Sequence, residues 1–214
     1  MAKPVRGSGK ITAMQDAVGS TPNRLLEETI RVIGVGGESE VNLREIATSC
    51  GVTTPIIYKS FESRDGLIVA AQAERFRRAI DGIAAPFSAA IESAITVDEL
   101  RQTLINLAAA TQHPDRAAFR RMQIEVLGSS ISRPALRVAV DSALRSLIDR
   151  AAEALGSARD RGLVRADAPI PELLWWYFGQ VQGQLLVEQT DANIDQAAWN
   201  ETSLRAVLAV VLDD

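Results

Sequence analysis

The feature that most constrains this chain is the rhythm of its apolar residues. They recur at three- and four-residue spacing almost from end to end, and glycine and proline fall between the blocks. Strict apolar/polar alternation is nearly absent. Such a pattern folds into amphipathic helices packed on one another, so the expected class is all-α. The 214 residues are ample for a buried core in one large domain or two small ones. A hydrophobic fraction of 47% with 23% charged residues excludes a largely disordered chain. No apolar run approaches the roughly 20 residues that span a bilayer. Met1–Ser20 carries Lys3, Arg6 and Lys10 without an apolar segment, which is unlike a signal peptide. A cytoplasmic location is therefore expected. With one cysteine and one histidine, Cys50 and His113, neither an internal disulfide nor a Cys/His metal cage is expected, and no cofactor is.

The helix punctuation is readable. Thr21-Pro22 opens a first block carrying Leu25, Leu26, Ile30 and Ile33, which ends in Gly34 to Gly37. Asn42 with Glu45 forms a capping-box-like pair ahead of Leu43, Ile46 and Ala47, and Gly51 stops that block. A short helix follows from Thr53 or Thr54 to about Lys59, and Ser63 caps a longer one with Leu67, Ile68, Ala71 and Phe76. Thr96 and Glu99 make a second capping box, and His113-Pro114 breaks that helix. A helix from about Asp115 to Leu127 is followed by Gly128-Ser129-Ser130, and Pro134 opens a long stretch to Gly162. Helices at about 171–189 and 195–212 close the chain, the last capped by Asp195.

Charge is uneven along this order. Residues 1–80 hold 11 Lys/Arg against 9 Asp/Glu, whereas residues 81–214 hold 12 against 18. A mildly basic head admits a polyanion as partner, but chance variation explains the same numbers equally well. The two short helices joined through Gly51 form a helix-turn-helix pattern, in which the second helix presents its first turn to base edges. Ile46, Ala47, Val52, Ile57 and Phe61 are expected to pack the unit, leaving Thr53, Thr54, Ile56, Tyr58 and Lys59 outward. On spacing alone, an unrelated helical hairpin competes with this reading.

Asn42-Leu43-Arg44-Glu45-Ile46-Ala47, Cys50-Gly51-Val52-Thr53, Ile57-Tyr58-Lys59-Ser60-Phe61 and Ser63-Arg64-Asp65-Gly66-Leu67 together resemble the DNA-binding head of TetR-family regulators. The resemblance covers about residues 22–72. The sequence departs from the family pattern at Glu28-Thr29, Val41, Pro55, Ile56 and Arg64. It implies a tail over 1–20, a three-helix helix-turn-helix head over 21–70, and a larger helical effector-binding and dimerisation body over 71–214. It further implies a double-stranded DNA operator contacted by Arg44, Thr53, Thr54, Pro55, Ile56, Tyr58, Lys59 and Arg64. Tyr58, Lys59 and Arg64 take phosphates, and Ile56 presses on a thymine methyl. A homodimer is expected through the helices at about 171–189 and 195–212, where Gly179 and Gly183 allow close approach. A small, mainly apolar effector is expected against Phe119, Met122, Gln123, Val126, Trp176 and Gln180, with Arg121 pairing Glu125 instead. Cys50 reads as small-residue packing. Two other functions compete with this one: a helical interaction module without DNA binding, and an enzyme with its site in the helical body. The enzyme lacks a catalytic constellation in this sequence.

Overall fold

A computed structural model describes residues 20–190 and 193–212, and every regular element among them is helical. The expected tail therefore lies outside the described residues, except for Ser20. The helices are α1 (Thr21–Gly36), α2 (Leu43–Ser49), α3 (Thr54–Phe61), α4 (Arg64–Ser93), α5 (Val97–Gln112), α6 (Ala117–Ser130), α7 (Pro134–Asp160), α8 (Ile170–Glu188) and α9 (Gln196–Val211). Short 3-10 turns at Glu38–Glu40 and Pro114–Arg116 precede α2 and α6. The chain divides into two compact units, the first ending at Arg75 and the second beginning at Phe76, within α4.

In the first unit α1, α2 and α3 pack mutually around Leu25, Ile33, Val41, Ile46, Ile57 and Phe61, with Leu67, Ile68 and Ala71 of α4 completing the core. Thr29 lies fully buried among them. It is tolerated because its hydroxyl donates to the Leu25 carbonyl at 2.7 Å, one turn back. The first cap differs from expectation by one residue: Ser20, not Thr21, is the N-cap and accepts from the Asn23 amide. Pro22 thus falls in the first turn, where its missing N–H costs nothing.

In the second unit α5, α7, α8 and α9 bury Leu100, Leu104, Ile148, Leu155, Leu173, Leu174 and Val211. The last helix is tied back at its end, where the Arg165 amide donates to the Val211 carbonyl at 2.9 Å. Thr96 caps α5 through the Glu99 amide at 3.2 Å, and Glu99 returns the bond to the Ile95 amide at 2.8 Å. Asp195 caps α9 through the Ala197 and Ala198 amides. Two sequence expectations are corrected here. Helix α6 starts two residues late because Pro114–Arg116 forms a 3-10 turn, in which the Asp115 amide donates to His113 Nδ1. It then runs through Gly128 to Ser130, where the Ser130 hydroxyl takes the Leu127 carbonyl and the Ile131 amide takes that of Gly128.

Candidate nucleic-acid interface and helical body

The turn between α2 and α3 is built on one backbone conformation. Gly51 adopts φ 67°, a region that costs a side chain free energy, and the Val52 amide closes on the Ala47 carbonyl at 2.9 Å. Asn42 caps α2, its Oδ1 accepting from the Arg44 amide at 3.0 Å and its Nδ2 donating to Glu45 at 3.0 Å. Thr53 occupies the N-cap of α3 without a side-chain capping bond. At 100° per residue, Tyr58, Pro55 and Lys59 share one arc of α3, Ile57 and Phe61 lie on the other side, and Thr54 falls at the boundary beside Phe61. The burial follows this wheel. Ile57 is fully buried, Tyr58 is 51% exposed, and Pro55 and Lys59 are exposed. Arg44 on α2 and Thr53 are exposed as well.

Ile56 departs from the expected outward placement. It sits at the edge of the exposed arc, half-buried against the head's core, because its position on the wheel adjoins Ser60. Thr54 is also half-buried, beside Phe61 on the wheel. Pro55, Tyr58 and Lys59 therefore form the exposed strip of α3, with Thr54 at one margin and Ile56 at the other. Arg64 is placed differently: its Nε donates to the Val41 carbonyl at 2.8 Å and its Nη2 to that of Glu38 at 2.7 Å.

Behind this strip, α1 and α2 are pinned by charge. Glu28 accepts from Arg31 at 2.8 and 2.9 Å and from the Ser49 hydroxyl at 3.0 Å. The Arg31 hydrogen bond is the main reason its carboxyl titrates below the usual glutamate value. Cys50 turns its thiol to the Arg24 carbonyl at 3.5 Å, and burial pushes that thiol up. Both features are packing.

The body holds an arrangement that sequence reasoning missed. Arg120 is fully buried, donating to the Thr111 and His113 carbonyls at 3.0 and 3.3 Å and to the Glu188 carboxylate. Gln184 donates to the Gln112 carbonyl at 3.3 Å. These side chains satisfy the carbonyls that α5 leaves open at its C-terminus. Tyr177 shares a 2.7 Å hydrogen bond with the Thr111 hydroxyl, and burial raises its phenol above the ordinary value. The only sequence signal was Arg120-Arg121, in which helical phase alone decides that one arginine is buried and the other exposed.

Of the four residues expected to face a ligand from α6, Gln123 and Val126 lie on its buried stripe and Phe119 and Met122 beside it. The buried stripe is Arg120, Gln123, Val126 and Ser130, so Phe119 and Met122 are only half-buried. Gln123 accepts from Gln182 at 2.7 Å, which joins α6 to α8. Trp176 is 45% exposed and Gln180 partly so. Among the described residues, Arg121 and Glu125 form no ion pair, and both face solvent. An apolar cleft of about 30 Å³ lies elsewhere in the body, lined by Phe87, Leu104, Leu107, Leu155, Tyr177 and Val207 among others. None of the six expected effector residues lines it. Gly183 packs within the chain, its α-carbon facing Trp199 of α9.

Residues 25–71 match the model of bacterial regulatory proteins, tetR family, which covers α1 from Leu25 on, all of α2 and α3, and the start of α4. The match covers the head alone. The all-α fold of the whole chain recurs in solved structures. A TetR-family regulator from Mesorhizobium loti MAFF303099 is 16% identical, with TM-score 0.68 over 90% of this chain and 97% of that one. A transcriptional regulator from Saccharomonospora viridis, solved in complex with choline, is 18% identical, with TM-score 0.63 over 90% and 98%. The multidrug binding protein EbrR, solved with proflavin, is 23% identical, with TM-score 0.56 over 87% and 99%. No curated protein matches the sequence. Among the described residues, no helix is long and apolar enough to cross a membrane, and no group of His, Cys, Asp and Glu is arranged to hold a metal.

Proposed function

We propose that this chain is a cytoplasmic homodimeric repressor that reads a palindromic operator through α3 and is released by a small, mainly apolar effector. The observation that carries the DNA reading is the exposed strip of Thr53, Pro55, Tyr58 and Lys59, edged by half-buried Thr54, across from a packed face, with Arg44 exposed on the bracing helix. Tyr58 and Lys59 take phosphates, whereas Thr53, Thr54, Pro55 and the margin of Ile56 face the bases. Two heads reading two half-sites require a dimer. Helices α8 and α9 supply the contact, since Trp175, Trp176 and Leu186 leave large apolar surface on α8.

The apolar cleft supports the effector class, and two similar structures hold small organic ligands, choline and proflavin. At about 30 Å³ the cleft admits such a ligand only if side chains move. Release then follows from unequal affinity: the effector populates a state that holds the operator weakly. No chemical step is assigned to the body, so no enzymatic activity is proposed.

Selection of binders from a random duplex library by the purified protein tests the reading. An enriched palindrome with half-site centres about one helical turn, or a multiple of it, apart is the expected result. No enrichment at low salt would favour an interaction module over a regulator. On the enriched duplex, Lys59→Ala is expected to reduce the slope of log affinity against log salt by roughly one.

A further inference from the structure

The turn between α1 and α2 is weakly held by its own backbone. Its two internal bonds, from the Glu40 amide to the Gly37 carbonyl and from the Val41 amide to the Glu38 carbonyl, are both long at 3.3 Å. What gathers it is one side chain from α4. Arg64 donates to Val41 at 2.8 Å, to Glu38 at 2.7 Å and more distantly to Ser39 at 3.4 Å, three backbone carbonyls of a single turn. A second strut runs beside it, in which Gln72 donates to the Glu38 carboxylate at 2.8 Å and Arg75 to Gln72 at 2.9 Å.

This turn leads directly into Asn42, the cap of α2, and α2 carries Arg44 and braces α3. We propose that Arg64 is a positioning residue for operator binding, acting through the Glu38–Val41 backbone instead of neutralising a phosphate. The proposal rests on the reading that the head binds DNA. The chemistry of the side chain favours this role. A planar guanidinium directs several N–H groups in a fixed fork at separate acceptors, whereas a lysine at this place carries the same charge on one point and lacks the fork.

The test uses the full-length protein and the enriched palindromic duplex, with affinity measured across salt for wild type, Arg64→Ala, Arg64→Lys and Lys59→Ala. Amide hydrogen exchange is read at Glu40 and Val41 in the same proteins. Both Arg64 variants are expected to lose roughly tenfold in affinity with the wild-type salt slope, and to exchange those two amides at least about tenfold faster. A slope lowered by about one in Arg64→Ala, with Arg64→Lys close to wild type, would assign a phosphate contact and overturn the proposal. Unchanged exchange at both amides would overturn it too. If Arg64→Ala does not fold, Arg64→Lys carries both readouts. A wild type that binds no duplex removes the regulator reading and this one together, an outcome distinct from a lowered slope in a protein that binds.

Discussion

Gly66 shows how closely the head is built. A Cβ added there would lie 2.0 Å from the Phe61 carbonyl oxygen, backbone against backbone with no side chain to give way. The chain between them passes through Glu62 at φ 68°, the one non-glycine residue with a positive φ among those described. Gly66→Ala is therefore expected to destabilise the head by about 3 kcal/mol or more, read as a lowered urea midpoint. At the same scale, Arg120 and Glu188 form a pair that is costly to half-remove. Glu188→Ala should cost about 3–5 kcal/mol, because it leaves a buried guanidinium without its carboxylate. Arg120→Met with Glu188→Leu should recover most of that loss, and a double-mutant cycle in denaturant measures the coupling. Little of this was legible in the sequence. The Ser-Arg-Asp-Gly-Leu run marked residue types without giving the close approach that demands glycine. Arg120 and Arg121 are the same letter, separated only by the phase of a helix whose start lay two residues later than the proline suggested.

Elements were far easier to read, for a physical reason. A helix end must satisfy its open amides locally, so the capping residue is written into the sequence within three positions of its partner. Asn42, Ser63, Thr96 and Asp195 all accept from amides of the turns they were expected to cap. Thr96→Ala is accordingly expected to cost about 1 kcal/mol, seen as a small fall in the melting temperature of the full chain. Where the reading failed, the competing signal was also local. Gly128 reads as a helix stop, yet the Ser130 hydroxyl and the Ile131 amide bond carbonyls of α6 beyond Val126 and carry the helix past it. The strip on α3 was legible because 3.6-residue periodicity separates Ile57 and Phe61 from Tyr58 and Lys59. Ile56 fell between the two faces, and periodicity does not decide a residue at the margin.

At the scale of the whole molecule, α8 carries large apolar side chains into solvent. Leu186 is 72% exposed, and Trp175 and Trp176 are each more than two-fifths exposed. If the proposed dimer forms through α8, Leu186→Arg turns it into a monomer without unfolding the chain, with sedimentation reading the mass and circular dichroism the helix content. A variant that sediments as a dimer would place the contact elsewhere. The sequence offered Gly179 and Gly183 as the close-approach pair for that contact. In the structure Trp199 of the same chain already faces Gly183, so half of that motif serves internal packing.

The buried pair of Arg120 and Glu188 has a consequence for how such a chain comes off the ribosome. Its members lie 68 residues apart, so a nascent body that has made α6 still has a cation with no carboxylate to receive it. Arg165 likewise waits for Val211, the last residue of α9. Synthesis of the first 75 residues completes a head whose core contacts are all in hand, whereas the body is finished only when the final helix emerges. In the cell, a premature stop before α8 should thus leave a folded head on a body that proteases clear.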